Sequence, residues 1–124
     1  MATAKIFELT STTASSLYDI GTVKMEKTSG GLTLEVSVSG DDTTNFIVQI
    51  KPHHNADFHD FLSSSDFDST SISNMIFSSS VGPHQLSDGG SSLVVIDVNH
   101  ADSVKFRANS TAGGGTITIK GRYV

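Results

Sequence analysis

The stretch that decides the fold is residues 91–124, SSLVVIDVNHADSVKFRANSTAGGGTITIKGRYV. Three runs rich in Val, Ile and Phe alternate there with two turn clusters, Asn99–Asp102 and Asn109–Gly115. Because β-branched and aromatic residues favour strands while Gly, Asn and Asp favour turns, the stretch predicts three consecutive strands. Apolar residues at both parities in 93–98 predict a central strand that is covered on both faces.

The rest of the chain repeats this alternation of apolar and polar residues. Residues 31–40 are the clearest case, since leucine or valine occupies 32, 34, 36 and 38 and mostly polar residues lie between them. A period of two indicates a strand with one face on the core and one face in water. Further strands are predicted at 5–9, 17–20, 22–28, 45–51 and 75–79, a turn at 10–16, and a short helical turn at 56–62.

Short strands separated by turn signals roughly every 8–12 residues predict two packed antiparallel sheets. The strands follow one another too closely for the helical crossovers that a parallel sheet requires. A chain of 124 residues is long enough to bury one hydrophobic core. We therefore predict an all-β fold, a single antiparallel β-sandwich domain over residues 1–124, of jelly-roll or Greek-key type with about eight or nine short strands.

Composition and charge argue against several classes of protein. The chain has no cysteine, so neither a disulfide framework nor a thiolate metal site is available within it. Its net charge of −5 argues against nucleic acid as a partner, because phosphate recognition requires lysine and arginine. No apolar run reaches the length of a signal-peptide core or a membrane span. We expect a protein that is not secreted by a signal peptide and has no membrane partner.

The most chemically crowded stretch is residues 51–60, KPHHNADFHD. Its histidines and aspartates offer nitrogen and oxygen donors for a divalent metal. The spacing matches no established metal site, however, and adjacent histidines in an extended segment should point apart. A polar loop is therefore the favoured interpretation, and metal binding is the alternative. The candidate ligands are His53, His54, Asp57, His59 and Asp60.

No arrangement of residues indicates catalysis. Aspartates at 57, 60, 66 and 68 supply carboxylates of the kind used in glycoside hydrolysis, but the chain has no tryptophan to form a sugar platform. No Gly-x-Ser-x-Gly motif marks a nucleophile, and the glycines at 113–115 do not open a helix as a phosphate cradle does. We predict a non-enzymatic protein with no catalytic residues, no cofactor and no metal.

Charge is distributed unevenly along the chain. Residues 52–104 contain no lysine or arginine but seven aspartates, whereas residues 103–124 contain no acidic residue. If 103–108 and 116–123 pair as a hairpin, their four cations share one sheet face, although like charges on neighbouring strands are mildly unfavourable. An acidic neighbour would offset this repulsion, so the patch predicts docking either to the acidic segment 57–102 of a second copy or to another acidic partner. The alternative is a face that contacts only solvent. These interface candidates are Lys105, Arg107, Lys120 and Arg122.

A family resemblance rests on residues 96–122. They read Ile-Asp-Val, then Ala-Asp-Ser-Val-Lys-Phe-Arg-Ala, then Gly-Gly-Gly-Thr-Ile-Thr-Ile-Lys-Gly-Arg. Together with the Ser/Thr/Gly-rich strands and the absence of Cys and Trp, this pattern resembles the small β-sandwich structural proteins of tailed bacteriophages. The resemblance is one of pattern without a diagnostic motif, so it transfers no site residue.

The resemblance implies a virion structural protein, made in the host cytoplasm. The favoured role is a capsid decoration or cement protein, which binds and stabilises the assembled shell of the major capsid protein, often as a homotrimer. Its partners would be the major capsid protein and copies of itself. The alternative is a tail-associated, fibre-associated or carbohydrate-binding β-sandwich module, for which Tyr18 and Tyr123 are the candidate glycan contacts. The short chain favours decoration, because fibre proteins usually carry long repetitive shafts.

Overall fold

The fold is that of a computed structural model, which describes residues 5–25, 31–63, 75–79, 86, 88–98 and 101–123. Regular structure within these residues consists of β-strands, and none of them is helical. Nine strands are described: β1 (Lys5–Ala14), β2 (Tyr18–Lys24), β3 (Gly31–Ser39), β4 (Thr43–Lys51), β5 (His59–Ser63), β6 (Met75–Ser79), β7 (Ser91–Asp97), β8 (Ser103–Ser110) and β9 (Gly113–Tyr123). The described ranges contain no helix long and apolar enough to cross a membrane.

The strands form two sheets. Sheet A has five strands in the order β1-β9-β3-β7-β6, and sheet B has four in the order β2-β8-β4-β5. Every described pairing is antiparallel. Consecutive strands repeatedly change sheet, so that β1 and β9 lie in sheet A while β2 and β8 lie in sheet B. This interleaved order is that of a jelly roll, and the predicted all-β antiparallel β-sandwich is confirmed.

Apolar residues from both sheets fill the space between them. The inward row of β3 is buried, and so are Ile117 and Ile119 of β9. From sheet B, Phe46 and Phe106 lie fully buried in the same core, with their ring centroids 6.0 Å apart. Burying a side chain of this size contributes about 1.5–3 kcal/mol, so these rows hold the two sheets face to face.

The first two strands differ from their predicted extents. The turn predicted at 10–16 is wrong, because β1 continues to Ala14 and pairs with β9 over almost its whole length. The segments predicted at 17–20 and 22–28 form one strand, β2, which ends at Lys24 and has a register shift near its middle; residues 26–28 lie outside the described part of the chain. The backbone of serine and threonine forms strand hydrogen bonds just as the backbone of apolar residues does. The length of the neighbouring strand therefore decides where these strands end.

The helical turn predicted at 56–62 is also wrong. Residues from His59 onward form β5 and pair with β4. Before the strand, the amide of Ala56 donates to the carbonyl oxygen of His53 at 2.9 Å. The helix-like spacing of the phenylalanines carries little weight here, because β4 offers an open row of backbone partners to an extended segment.

The prediction that 93–98 is covered on both faces is wrong as well. Strand β7 lies inside sheet A between β3 and β6, but its side chains alternate between the core and the outer surface. Val94 and Ile96 are buried, whereas Leu93 is 48% exposed on the outer face. Leu93 therefore belongs to the surface of the protein and not to its core.

Gly115 allows β9 to lie close to the end of β3. A Cβ atom at this position would lie 2.6 Å from the carbonyl oxygen of Ser39 and 2.8 Å from the carbonyl carbon of Gly40. Both are backbone atoms, which cannot rotate away as a flexible side chain would. The glycine is therefore required by the close approach of two backbones.

Candidate functional site

The four predicted interface cations do not form one patch. Strand β8 pairs with β2 and β4 in sheet B, whereas β9 pairs with β1 and β3 in sheet A. The predicted hairpin between 103–108 and 116–123 is therefore wrong, because the short link at Thr111–Ala112 crosses from one sheet to the other. Lys105 and Arg107 lie on the outer face of sheet B, and Lys120 and Arg122 lie on the outer face of sheet A.

The two cations on sheet B interact within the chain. Arg107 Nε lies 2.5 Å from Asp19 Oδ1, which is a salt bridge between paired strands. Lys105 Nζ lies 4.5 Å from the centre of the Phe58 ring, and Lys51 Nζ lies 5.1 Å from the same ring. Such cation–π contacts contribute about 0.5–1 kcal/mol at exposed sites. These cations help to hold the surface of sheet B, which makes them weaker candidates for docking.

The two cations on sheet A lie in a different environment. Strand register places Lys120 between Glu8 and Glu35, with one acidic residue on each neighbouring strand. Arg122 lies in the next row of the same face, between Ile6 and Thr33. Within the described part of the chain, no salt bridge within 4.0 Å joins either cation to an acidic group. Their charges remain accessible to a partner.

Exposed apolar side chains lie beside these charges. Ile6 is 83% exposed at the start of β1, and Leu93 is 48% exposed on β7. They line an open groove of about 400 Å³ together with Glu8, Glu35, Lys120 and Arg122. Single exposed apolar residues are ordinary, but these two share one groove with four charged residues, which makes the groove a candidate docking surface. We call this surface the sheet A groove.

The other half of the same face carries hydroxyl groups. Thr118 of β9 lies between Thr10 of β1 and Ser37 of β3, and Thr116 lies between Thr12 and Ser39 in the next row. Each row consists of side chains that are neutral and short. The outer face of sheet A thus divides into a hydroxyl-rich half and a half that contains charged and apolar residues.

Asp41 is the most extensively hydrogen-bonded carboxylate among the described residues. It lies in the turn after β3, is 8% exposed, and accepts the hydroxyl of Thr13 at 2.9 Å and the amide of Gly113 at 2.6 Å. Its other oxygen accepts the amides of Asp42 at 2.8 Å and Ala112 at 3.3 Å. Burial disfavours the charged form, but these four hydrogen bonds outweigh burial and hold the pKa of Asp41 below its ordinary value.

The role of Asp41 is structural. Its carboxylate joins the end of β1, the turn after β3 and the link between β8 and β9 at one end of the sandwich. A carboxylate that is held ionised by several donors is poorly suited to donate a proton. The sequence indicates only a turn at 41–44, because the partners of Asp41 are distant in the chain.

The two tyrosines proposed as glycan contacts are not free platforms. The Tyr18 hydroxyl lies 2.9 Å from Ser110 Oγ, and burial raises the pKa of Tyr18. Tyr123 is 8% exposed, and its hydroxyl donates to the carbonyl oxygen of Lys24 at 2.9 Å. A sugar ring requires an exposed aromatic face to stack on, so these positions give no support to carbohydrate binding.

The histidine-rich loop also differs from its predicted geometry. The rings of His53 and His54 do not point apart; their centroids lie 4.1 Å apart. Nearby, Asp60 accepts a hydrogen bond from the Gln49 side chain at 2.7 Å. Among the described residues, no group of three or more His, Cys, Asp or Glu is placed to hold a metal ion.

Two of the aspartates in 57–102 accept hydrogen bonds from their own chain. Asp88 accepts the amide of Gly40 at 2.6 Å, and Asp102 accepts the hydroxyl of Ser103 at 2.9 Å. These two carboxylates stabilise separate turns. Asp66 and Asp68 lie outside the described residues. Of the predicted charge pattern, the structure separates the basic half, because its four cations lie on two different sheets.

The described chain is a two-sheet all-β sandwich of the jelly-roll class, with an exposed mixed groove on one sheet. No family model and no curated protein sequence matches it. Among solved structures, it is similar to the SPBc2 prophage-derived protein YomS, at 14% identity and a TM-score of 0.53, over 99% of this chain and 96% of that one. It is also similar to a chain of the Bacillus endospore appendages, which form a novel family of disulfide-linked pili, at 11% identity and a TM-score of 0.50, over 98% of this chain and 87% of that one. At these identities the likeness concerns the fold.

Proposed function

We propose that the protein is a non-enzymatic structural subunit of a bacteriophage particle, of the capsid decoration or cement type. The observation that carries the proposal is the sheet A groove, where Ile6 and Leu93 are exposed beside charges of both signs. A groove of this composition is suited to a protein surface, because its apolar centre is excluded from water while its charges set the orientation of the partner.

The surroundings of Asp41 and Tyr18, the two described residues whose pKa is shifted, support a role without catalysis. Asp41 is surrounded by donors from its own chain, and Tyr18 is bonded to Ser110. Both lie away from the sheet A groove, and both stabilise connections between strands. Two fold neighbours, one derived from a prophage and one from a pilus, agree with a role in a virus particle or another extended assembly.

To act as a decoration protein, the chain has only to bind the assembled shell in preference to the free shell subunits. A protein that binds the assembled shell and not its free subunits stabilises the shell by mass action, by about 2.7 kcal/mol at a hundredfold excess over Kd. A rigid sandwich with a preformed docking face suits this task, since little order has to be gained on binding. These 124 residues contain no cysteine, so no disulfide can join this domain to its partners.

The proposal predicts binding to shells. Purified protein is mixed with assembled shells of the major capsid protein encoded with it, and the shells are pelleted at physiological salt. We expect the protein to pellet with the shells and to raise the temperature at which they disrupt. The matched pair of variants is Ile6→Ser on sheet A, expected to weaken binding, and Lys24→Ser on sheet B, expected not to.

Two outcomes would contradict capsid decoration. Protein that remains in the supernatant at every shell concentration would exclude it. Protein that binds isolated tails and not shells would replace it with the tail-associated role. A glycan array tests the carbohydrate-binding alternative, and we expect no signal because both tyrosine hydroxyls are engaged within the fold.

A further inference from the structure

We infer that the sheet A groove binds a second copy of this chain through an isologous, two-fold contact. The inference rests on the proposed function: the groove joins two copies of the chain, and the pair is the unit that binds the shell, so loss of this contact weakens shell binding as well. It proposes a dimer where the family resemblance implies a trimer, since a single two-fold contact closes as a dimer.

The charges of the groove are arranged to complement themselves. Across β1, β9 and β3, paired positions read Glu8, Lys120 and Glu35, so that negative, positive and negative charges alternate on adjacent strands. Neighbouring strands lie about 4.8 Å apart, which keeps the three charges within one row. With Arg122, the groove carries two acidic and two basic residues and is neutral, although the whole chain has a net charge of −5. A strongly acidic or strongly basic partner would leave half of these charges opposed by like charges.

A two-fold axis parallel to the strands, above the gap between β9 and β3, satisfies this pattern. The rotation places β9 over β3 of the second copy without shifting the rows. Lys120 then faces Glu35 of the second copy, and Glu35 faces the second copy's Lys120. One symmetric contact therefore provides two ion pairs between chains, at groups that form no salt bridge in the described single chain.

The same rotation brings the apolar residues together. It places β1 over β7 of the second copy, because these strands flank β9 and β3 in sheet A. Ile6 then faces Val95 of the second copy, beside that copy's Leu93, since Ile6 and Val95 occupy the same row across the sheet. Ile6 is 83% exposed in the single chain, and this packing removes it from water. The axis thus pairs Lys120 with Glu35 and covers Ile6, while Glu8 faces Leu93 and Arg122 faces Thr33 of the second copy.

The test is the oligomeric state of the whole chain, measured by sedimentation equilibrium and light scattering. We expect the unmodified protein to be a dimer that weakens as salt rises, because the ion pairs lie near the surface. Lys120→Glu and Glu35→Lys should each weaken the dimer about tenfold or more, by opposing like charges across the interface. The double variant exchanges the two signs and should restore most of the affinity.

Two further variants separate docking from folding. Ile6→Ser changes an exposed residue and should weaken the dimer while leaving the thermal unfolding of the monomer nearly unchanged. Lys24→Glu makes the same charge change as Lys120→Glu on an exposed position of sheet B, and should leave the dimer intact. A dimer whose Kd is unchanged by each of Lys120→Glu, Glu35→Lys and Ile6→Ser would overturn the inference.

The result also separates the two proposals. Protein that is monomeric at concentrations of about 500 μM, far above the Kd of a specific complex, but pellets with shells would overturn the dimer and leave capsid decoration standing. A dimer that is weakened by the charge variants but does not pellet with shells would support the dimer and overturn capsid decoration. Failure of the double variant to recover, with each single variant folded and monomeric, would show that Lys120 and Glu35 do not face each other.

Discussion

At Asp41, a single carboxylate connects segments that are distant in the sequence. Three of the four residues that donate to it come from β1, from the link between β8 and β9 and from the start of β9, which are 28 to 72 positions away in the chain. The amide of Gly115 in turn donates to the hydroxyl of Thr13 at 2.9 Å, which extends the network. The whole arrangement depends on the carboxylate being charged. Both of its oxygens accept hydrogen bonds, and a proton on either oxygen would point at a hydrogen-bond donor.

Asp41→Asn should destabilise the protein at neutral pH and remove part of its acid sensitivity. The pKa of Asp41 is lower in the folded state than in the unfolded state, so its contribution to the free energy of unfolding is present above the unfolded value of about 4. It is lost as pH falls through the folded pKa. Urea unfolding between pH 2 and 7 should therefore show a steeper acid loss in the parent than in Asp41→Asn.

The matched control for this prediction is Asp57→Asn, which changes an exposed aspartate outside the network. It should leave stability within about 0.5 kcal/mol of the parent at neutral pH. Equal stability profiles for Asp41→Asn and Asp57→Asn would show that the hydrogen bonds to Asp41 add nothing to the charged form.

At the scale of the strands, pairing partners decide what local preference leaves open. The Ser/Thr-rich segment after residue 9 looks like a turn by composition, yet it extends β1 because β9 offers a complete row of partners. Likewise, β8 and β9 look like a hairpin but belong to different sheets. The glycines at 113–115 are not a hairpin tip but the first residues of β9, where Gly115 permits a close backbone approach.

Gly115→Ala should cost about 1–3 kcal/mol in the free energy of unfolding, because its Cβ would overlap backbone atoms of Ser39 and Gly40. Gly31→Ala is the matched control in the same sheet, since its nearest neighbour would be the carbonyl oxygen of Ile96 at 3.9 Å. Chemical denaturation of both variants measures the difference. Equal losses would show that β9 can move away from the end of β3 at no cost.

At the scale of the whole molecule, burial separates the core from the docking surface. Phe106 is fully buried, and its ring stacks with both Phe46 and Phe7 at centroid distances of 6.0 Å and 6.2 Å. Leu93 comes from an equally apolar run of sequence, but half of its side chain meets water. Phe106 holds the two sheets together, whereas Leu93 is available to a partner.

Phe106→Ala should therefore destabilise the fold by about 3–5 kcal/mol, because the cavity cannot be filled by the rigid sheets around it. Leu93→Ala should change stability by less than about 0.5 kcal/mol. Thermal and urea unfolding of the two variants measure both effects. A large loss for Leu93→Ala would place that residue in the core after all.

The sequence by itself determined the all-β class, the antiparallel sandwich and most of the strands, because a period of two in apolar residues is a local property of each strand. It also determined that Lys120 and Arg122 point to the outside of β9. Only the tertiary structure decided that these two cations lie apart from Lys105 and Arg107, that Ile6 and Leu93 join them in one groove, and that Asp41 is buried. The physical reason is that each of these facts depends on which strands are neighbours. Neighbours are chosen by the packing of the whole chain, and strands of the same pattern fit either sheet.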